Sequence, residues 1–212
     1  MKKALIIWGG WEGHQPKEVG EILHELLVDE RYEVEMSNTL DSLIDEEKLK
    51  GLDLIVPVWT MGSITREQSI GLLAAVKSGV GIAGCHGGMG DAFRIDTEYQ
   101  FMVGGQWVAH PGNDGVRYTV NLGDHPIVDG IGDFEVSTEK YYMHVDPAIE
   151  VLATTTFEGY GPNGADMLMP VAWTKKYGDG RVFYCSLGHQ ANIISIPQVS
   201  TIMRRGMVWA SK

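Results

Sequence analysis

The stretch from Gly81 to Phe93 reads GIAGCHGGMGDAF and sets a thiol, Cys85, beside an imidazole, His86, among glycines. Small residues around a reactive side chain permit the sharp strand-to-helix turn that presents a nucleophile. Two registers are open. With Cys85 at the tip, an adjacent imidazole lowers the thiol pKa and makes it a nucleophile. With His86 at the tip, the imidazole is the working group and exchanges protons near neutral pH. Two more histidines stand in similar places. His14 follows Gly9-Gly10-Trp11-Glu12-Gly13, just past one apolar run, and His189 follows Gly188, just past another.

A single histidine at the end of an apolar run is commonly a plain loop residue. Three of them, with histidines otherwise scarce inside the apolar runs, point to a shared site. His14, His86 and His189, with a carboxylate such as Glu12 or Glu139, could assemble a site for a divalent metal such as zinc from distant loops. No local metal signature supports this, since HExxH and CxxC are both absent. Gly87-Gly88-Met89-Gly90 is not a phosphate loop, because it lacks the Lys-Ser/Thr that such loops carry. His110 precedes Pro111-Gly112 and stands near Trp107. His144 follows Tyr141-Tyr142-Met143, where packed tyrosines are the plainer reading. His125, before Pro126, reads as a turn residue. Trp11, Trp59 and Trp107 adjoin glycines or turn residues, whereas Trp8, Trp173 and Trp209 read as core. A rigid indole with an N–H is a platform for the apolar face of a sugar.

The elements that must position these groups follow from the periodicity. Lys3–Trp8, Tyr32–Met36, Asp53–Trp59 and Val80–Ala83 read as strands. Val19, Ile22, Leu23, Leu26 and Leu27 have helical spacing within Pro16–Val28, and Thr65 with Gln68 forms a capping box for a helix through Val76. Apolar strands alternating with helices predict a parallel sheet covered on both faces, with ligands at the carboxyl ends of its strands. Further on, Tyr99–Val103 reads as a helical turn. Val116–Leu122, Val151–Thr156, Pro170–Thr174 and Arg181–Leu187 read as strands, the last two joined by the hairpin turn Tyr177-Gly178-Asp179-Gly180. Gln198–Trp209 closes as a helix.

The 212 residues, 44% of them hydrophobic, suit one domain with a sizeable core. A net charge of −11 repels nucleic acid and anionic membranes, so neither is an expected partner. A small neutral or weakly charged ligand fits that field better. MKKALIIWGG reads as a first strand rather than an export signal, and no apolar run is long enough to span a bilayer. Two cysteines, Cys85 and Cys185, make no disulfide framework and fit a reducing cytoplasm.

Several segments resemble the ThuA-like (trehalose utilisation) family of the class I glutamine amidotransferase-like superfamily. They are Trp8-Gly9-Gly10 through His14, Gly84-Cys85-His86-Gly87-Gly88, Gly104-Gly105-Gln106-Trp107-Val108-Ala109-His110-Pro111, His125-Pro126-Ile127, Thr138-Glu139-Lys140-Tyr141-Tyr142, Pro170-Val171-Ala172-Trp173, and Tyr177–Tyr184 with Leu187-Gly188-His189. The resemblance implies a single α/β domain over residues 1–212. It would be a three-layer flavodoxin-like sandwich with a mainly parallel central sheet and a late β-hairpin. It also implies a sugar ligand, trehalose or a related disaccharide such as its 3-keto form, and we expect a sugar-modifying isomerase, lyase or hydrolase. In that reading His14, His86, His189 and Glu139 do the chemistry, with Glu139 as acid/base. His110, His144 and Tyr142 line the pocket, and Trp59 and Trp107 stack on the sugar. A homo-oligomer is a further expectation.

Cys85 departs from the family pattern and resembles the Ala-x-Cys-His-Gly elbow of the DJ-1/PfpI group. A Cys85-dependent DJ-1/PfpI-like hydrolase, with His86 or His189 as base, is therefore the alternative. A non-catalytic ligand-binding module is another. Glutaminase chemistry is not expected, because His189-Gln190-Ala191 lacks the glutamate of a His-x-Glu pair.

Overall fold

Residues Ala4 to Ile7 have no face toward water. Ala4 and Ile6 pack into one hydrophobic core while Leu5 and Ile7 pack into another. Side chains alternate across a strand, so a fully apolar run must sit in a sheet covered on both faces. The computed structural model, which describes residues 1–212, shows that arrangement. Its elements are β1 (Lys3–Gly10), α1 (Pro16–Asp29), β2 (Glu33–Ser37), α2 (Glu46–Lys50), β3 (Leu54–Thr60), α3 (Arg66–Lys77), β4 (Gly81–Cys85), α4 (His86–Gly90) and α5 (Thr97–Val103). The second half adds β5 (Gly105–Ala109), β6 (Val116–Leu122), β7 (Phe134–Thr138), β8 (Tyr142–Val145), β9 (Glu150–Phe157), β10 (Met167–Tyr177), β11 (Gly180–Cys185), α6 (Ala191–Ile194) and α7 (Pro197–Ala210).

The central sheet has nine strands in the order β2-β1-β3-β4-β11-β10-β9-β6-β7. From β2 to β11 neighbouring strands run parallel, and from β11 to β7 they run antiparallel. The expected hairpin is β10–β11, joined at Tyr177↔Gly180. The antiparallel part extends beyond that hairpin through β9, β6 and β7. A second sheet pairs β5 with β8.

One face of the sheet buries Val19, Leu23 and Leu27 of α1 with Val199, Ile202, Met203 and Met207 of α7. The other buries Leu72, Ala75 and Val76 of α3 with Tyr99, Met102 and Val103 of α5. The two clusters hold 31 and 25 buried residues, so neither face is a mere cover. The expected capping box is present: Gln68 N–H donates to Thr65 Oγ1 at 3.3 Å, and Thr65 N–H to Gln68 Oε1 at 3.0 Å. Trp173 is fully buried, and its indole N–H donates to the Val103 carbonyl at 3.0 Å. No helix is long and apolar enough to cross a membrane.

Candidate metal centre

Strands β1, β3, β4 and β11 are parallel neighbours, so their carboxyl ends share one side of the sheet. Each end delivers a residue. After β1, a single 3₁₀ turn over Glu12–His14 brings back His14, closed by Gln15 in the left-handed region at φ 49°. Strand β3 ends on Thr60. After β4 comes His86, and after β11 come Ser186 and His189. Glu139 follows β7, at the far edge of the sheet, and reaches the same place.

The elbow expected at β4 exists, and its register is settled. His86 has φ 45°, a left-handed backbone that a non-glycine residue adopts at a cost of about 1–3 kcal/mol. Its ring points to the other strand ends. Cys85, the last strand residue, shares a face with Ala83 and packs in the α7-side core with Cys185, Leu187 and Ile194. Burial drives its thiol far above the ordinary range, with Cys185 adding to the effect. That is the opposite of an activated nucleophile. A Cys85→Ala protein is expected to keep its ligand-binding properties. Cys85 in the folded protein should resist iodoacetamide, which peptide mapping after a timed exposure checks.

Gly87 has no room for a side chain, since a Cβ there would lie 2.6 Å from His14 Cε1. That close approach lets the two loops converge. Nε2 of His86 lies 3.1 Å from Glu139 Oε2, Nδ1 of His189 lies 3.4 Å away, and Nε2 of His14 lies 4.0 Å away. One ligand-type atom from each of the four residues falls within 4.8 Å of every other, and all four residues are buried. Ligands at about 2.0–2.1 Å around a tetrahedral zinc stand roughly 3.4 Å apart, so a small inward shift would complete a coordination shell.

The outer contacts fix the ring orientations. Nδ1–H of His86 donates to the Ser186 carbonyl at 2.8 Å, leaving Nε2 as a lone pair facing Glu139. Nδ1 of His14 shares a 2.8 Å hydrogen bond with Thr60 Oγ1. Metal-binding histidines characteristically hold their second nitrogen this way. Nδ1 of His189 is buried and has no aligned hydrogen-bond partner, despite its 3.4 Å approach to Glu139. A lone pair and a carboxylate 3.1 Å apart repel unless a proton or a metal cation stands between them.

The titration tendencies bear on whether these groups are in the form that ligates. Burial pushes His14 down to about 3, with His86 and His189 adding repulsion against the pull of Glu139. Burial also lowers His86, although Glu139 and the Ser186 carbonyl oppose it. Both rings are therefore held neutral, the form that ligates. Burial alone would raise Glu139. The imidazoles of His189 and His86 beside it outweigh burial and hold the carboxyl far below its ordinary value. His189 is raised. Burial works against that, but Glu139 and then Asp114 favour its charged form.

Around these four lie other groups that the sequence singled out, and some that it did not. His110 is the more exposed imidazole, with Nε2 3.8 Å from Glu139 Oε1 and Nδ1 lacking a partner. Trp107 packs 5.4 Å from His110, and the Arg94 guanidinium lies 4.8 Å over its ring. Tyr141 stacks on His86 with ring centroids 3.9 Å apart. The sequence pointed instead to Tyr142, which packs with Phe157 and Tyr160, and to His144, which is exposed. The two share the other face of β8 through its two-residue alternation, so the structure does not bring them to the cluster. Trp59 is wedged near Gly9 and Gly62, where Cβ atoms would come within 2.6 and 2.7 Å of its ring. Of the two carboxylates considered, Glu139 joins the cluster while Glu12 is exposed. Thr60, Ser186 and Tyr141 were missed. The first two lie at the ends of strands already identified, where a search for second-nitrogen partners would have found them.

Two solved structures of ThuA-like proteins are similar to this chain. One, from Parabacteroides merdae, has a TM-score of 0.78 at 20% identity, covering 99% of this chain and 89% of its own. The other, from Bacteroides uniformis, has a TM-score of 0.80 at 16% identity, covering 99% and 91%. A β-galactosidase from Rahnella sp. R3 is also similar, with a TM-score of 0.65 at 16% identity, over 98% of this chain but only 31% of that one. At these identities the likeness shows the fold. No curated protein matches by sequence. The family model for ThuA, described as trehalose utilisation, matches residues 3–210, and the chain belongs to the ThuA family.

Proposed function

We propose that His14, His86, Glu139 and His189 bind a divalent metal ion such as zinc, and that the loaded protein is an enzyme acting on a disaccharide of the trehalose class or its keto derivative. The observation that carries the reading is the facing of the His86 lone pair and the Glu139 carboxylate at 3.1 Å among buried neutral imidazoles. A three-nitrogen, one-oxygen set in which His14 and His86 have their second nitrogens held fits zinc. When bound, such an ion polarises a carbonyl or hydroxyl oxygen.

The chain's own residues supply the remainder. Glu139 serves this reading as a ligand rather than as the acid/base expected from the sequence, because its carboxyl is held ionised. His110 is the imidazole left outside the ligand set, with its Nε2 beside the cluster and its side chain partly open to solvent. It is placed to take a proton from the carbon next to a keto group and return it to the neighbouring atom. Returned there, the proton completes an isomerisation; passed instead to a departing oxygen as its C–O bond breaks, it completes an elimination. Tyr141 and Trp107 form the wall behind His86 and His110.

The test uses apo and zinc-loaded protein with trehalose and 3-keto-trehalose, followed by proton NMR in deuterated water. Zinc-dependent turnover, or deuterium uptake beside the keto group, is the expected result. Zinc-loaded protein that leaves both sugars unchanged at millimolar concentration would overturn the assigned substrate class.

A further inference from the structure

Three tryptophans stand near the strand ends: Trp11 is exposed, while Trp59 and Trp107 are half-buried. Trp59 is wedged between Gly9 and Gly62, and Trp107 lies under the Arg94 guanidinium with its N–H buried. Trp11 is 47% exposed, the largest aromatic ring on the surface of this protein to be so. Exposing an indole forgoes the burial that usually stabilises it, which makes a fixed, open indole beside a buried polar cluster a feature to explain.

The ring is not free to swing. Its backbone N–H donates to the Thr60 carbonyl at 3.1 Å, while the Thr60 side chain holds His14 Nδ1 at 2.8 Å. Thr60 therefore ties the Trp11 backbone to the His14 ring. The indole edge meets His14 with centroids 4.7 Å apart and planes at 70°. Beneath it, Gly13 leaves no space for a side chain, since a Cβ there would lie 2.4 Å from Trp11 Cζ2. The 3₁₀ turn Glu12–His14 carries Gly13 and His14, and Trp11 is the residue that precedes it. An aromatic plane held next to a metal-type ligand pairs an apolar surface with a polar centre. A disaccharide has the matching character, with one ring to react and a second ring whose C–H face can stack.

We propose that Trp11 is the platform for the second, non-reacting ring of the substrate, so that the site selects disaccharides over single sugars. This rests on the metal-and-sugar reading above. The test is calorimetric titration of zinc-loaded protein with trehalose and with glucose, for the wild type, Trp11→Ala and Trp11→Phe. Wild type should bind trehalose more tightly than glucose. Trp11→Ala should weaken trehalose binding by about 10-fold, the scale of one aromatic stack, and leave glucose binding unchanged. Trp11→Phe should retain part of the preference. Trehalose binding equal in wild type and Trp11→Ala would overturn the role of Trp11 alone. Wild-type protein that binds neither sugar would overturn this role together with the sugar reading.

Discussion

Replacing Glu139 with glutamine is expected to lower zinc affinity by at least about 100-fold, more than the loss of a typical outer-shell partner. Glu139 is the one anion of the proposed ligand set, and the three imidazoles bring no charge in the form that ligates. Glutamine preserves the shape. Its amide can donate to the His86 lone pair that Glu139 Oε2 faces at 3.1 Å, so the apo fold keeps its packing. The two effects separate in one experiment. Saturating zinc at about 100 times the dissociation constant should stabilise the wild type by about 2.7 kcal/mol. Glu139→Gln should still melt cooperatively and gain almost nothing from zinc at that concentration. A variant that gains as much as wild type would show that the carboxylate is not a ligand.

Acidification should destabilise the apo protein well before ordinary carboxylates titrate. His14 is held down to about 3 when folded and returns to its ordinary value near 6.5 when unfolded. Between those values the unfolded chain binds the proton and the folded one does not. Stability therefore falls as pH drops through that window, by on the order of a few kcal/mol at its acid end. His86 is lowered too and acts in the same direction. Glu139 adds to the loss below its ordinary value near 4.5, because its folded carboxyl stays ionised. His189 has the opposite sign. Its folded value is raised, so its contribution is present in acid and is lost as pH rises through that value. The lowered groups outnumber it. Denaturant midpoints measured from pH 7 to pH 4 should fall steadily in the wild type and less steeply in His14→Gln.

Much of the site could be read from residue placement, because ligands in such sheets gather at strand ends. His14, His86 and His189 follow three apolar runs, and the capping box of α3 and the β10–β11 turn fixed their surroundings. What the sequence left open has physical reasons. Strand β4 is buried on both faces, so no polar alternation distinguishes the face of Cys85 from its opposite. Only the left-handed backbone at His86 does. Strand β7 is short and half exposed, so the approach of Glu139 from the far edge of the sheet is a tertiary fact that local pattern does not encode. Tyr141 and Tyr142 are equivalent by composition, and the alternation into β8 decides between them. Of the antiparallel extension, the sequence marks β6 and β9 as strands but not β7, and their order depends on pairings between residues far apart in the chain.

The most direct measurement is equilibrium dialysis of the apo protein against micromolar free zinc, with elemental analysis of the protein after equilibration. The structure predicts one zinc per chain in the wild type. Wild-type protein that retains no ion under those conditions would contradict the metal centre at its root.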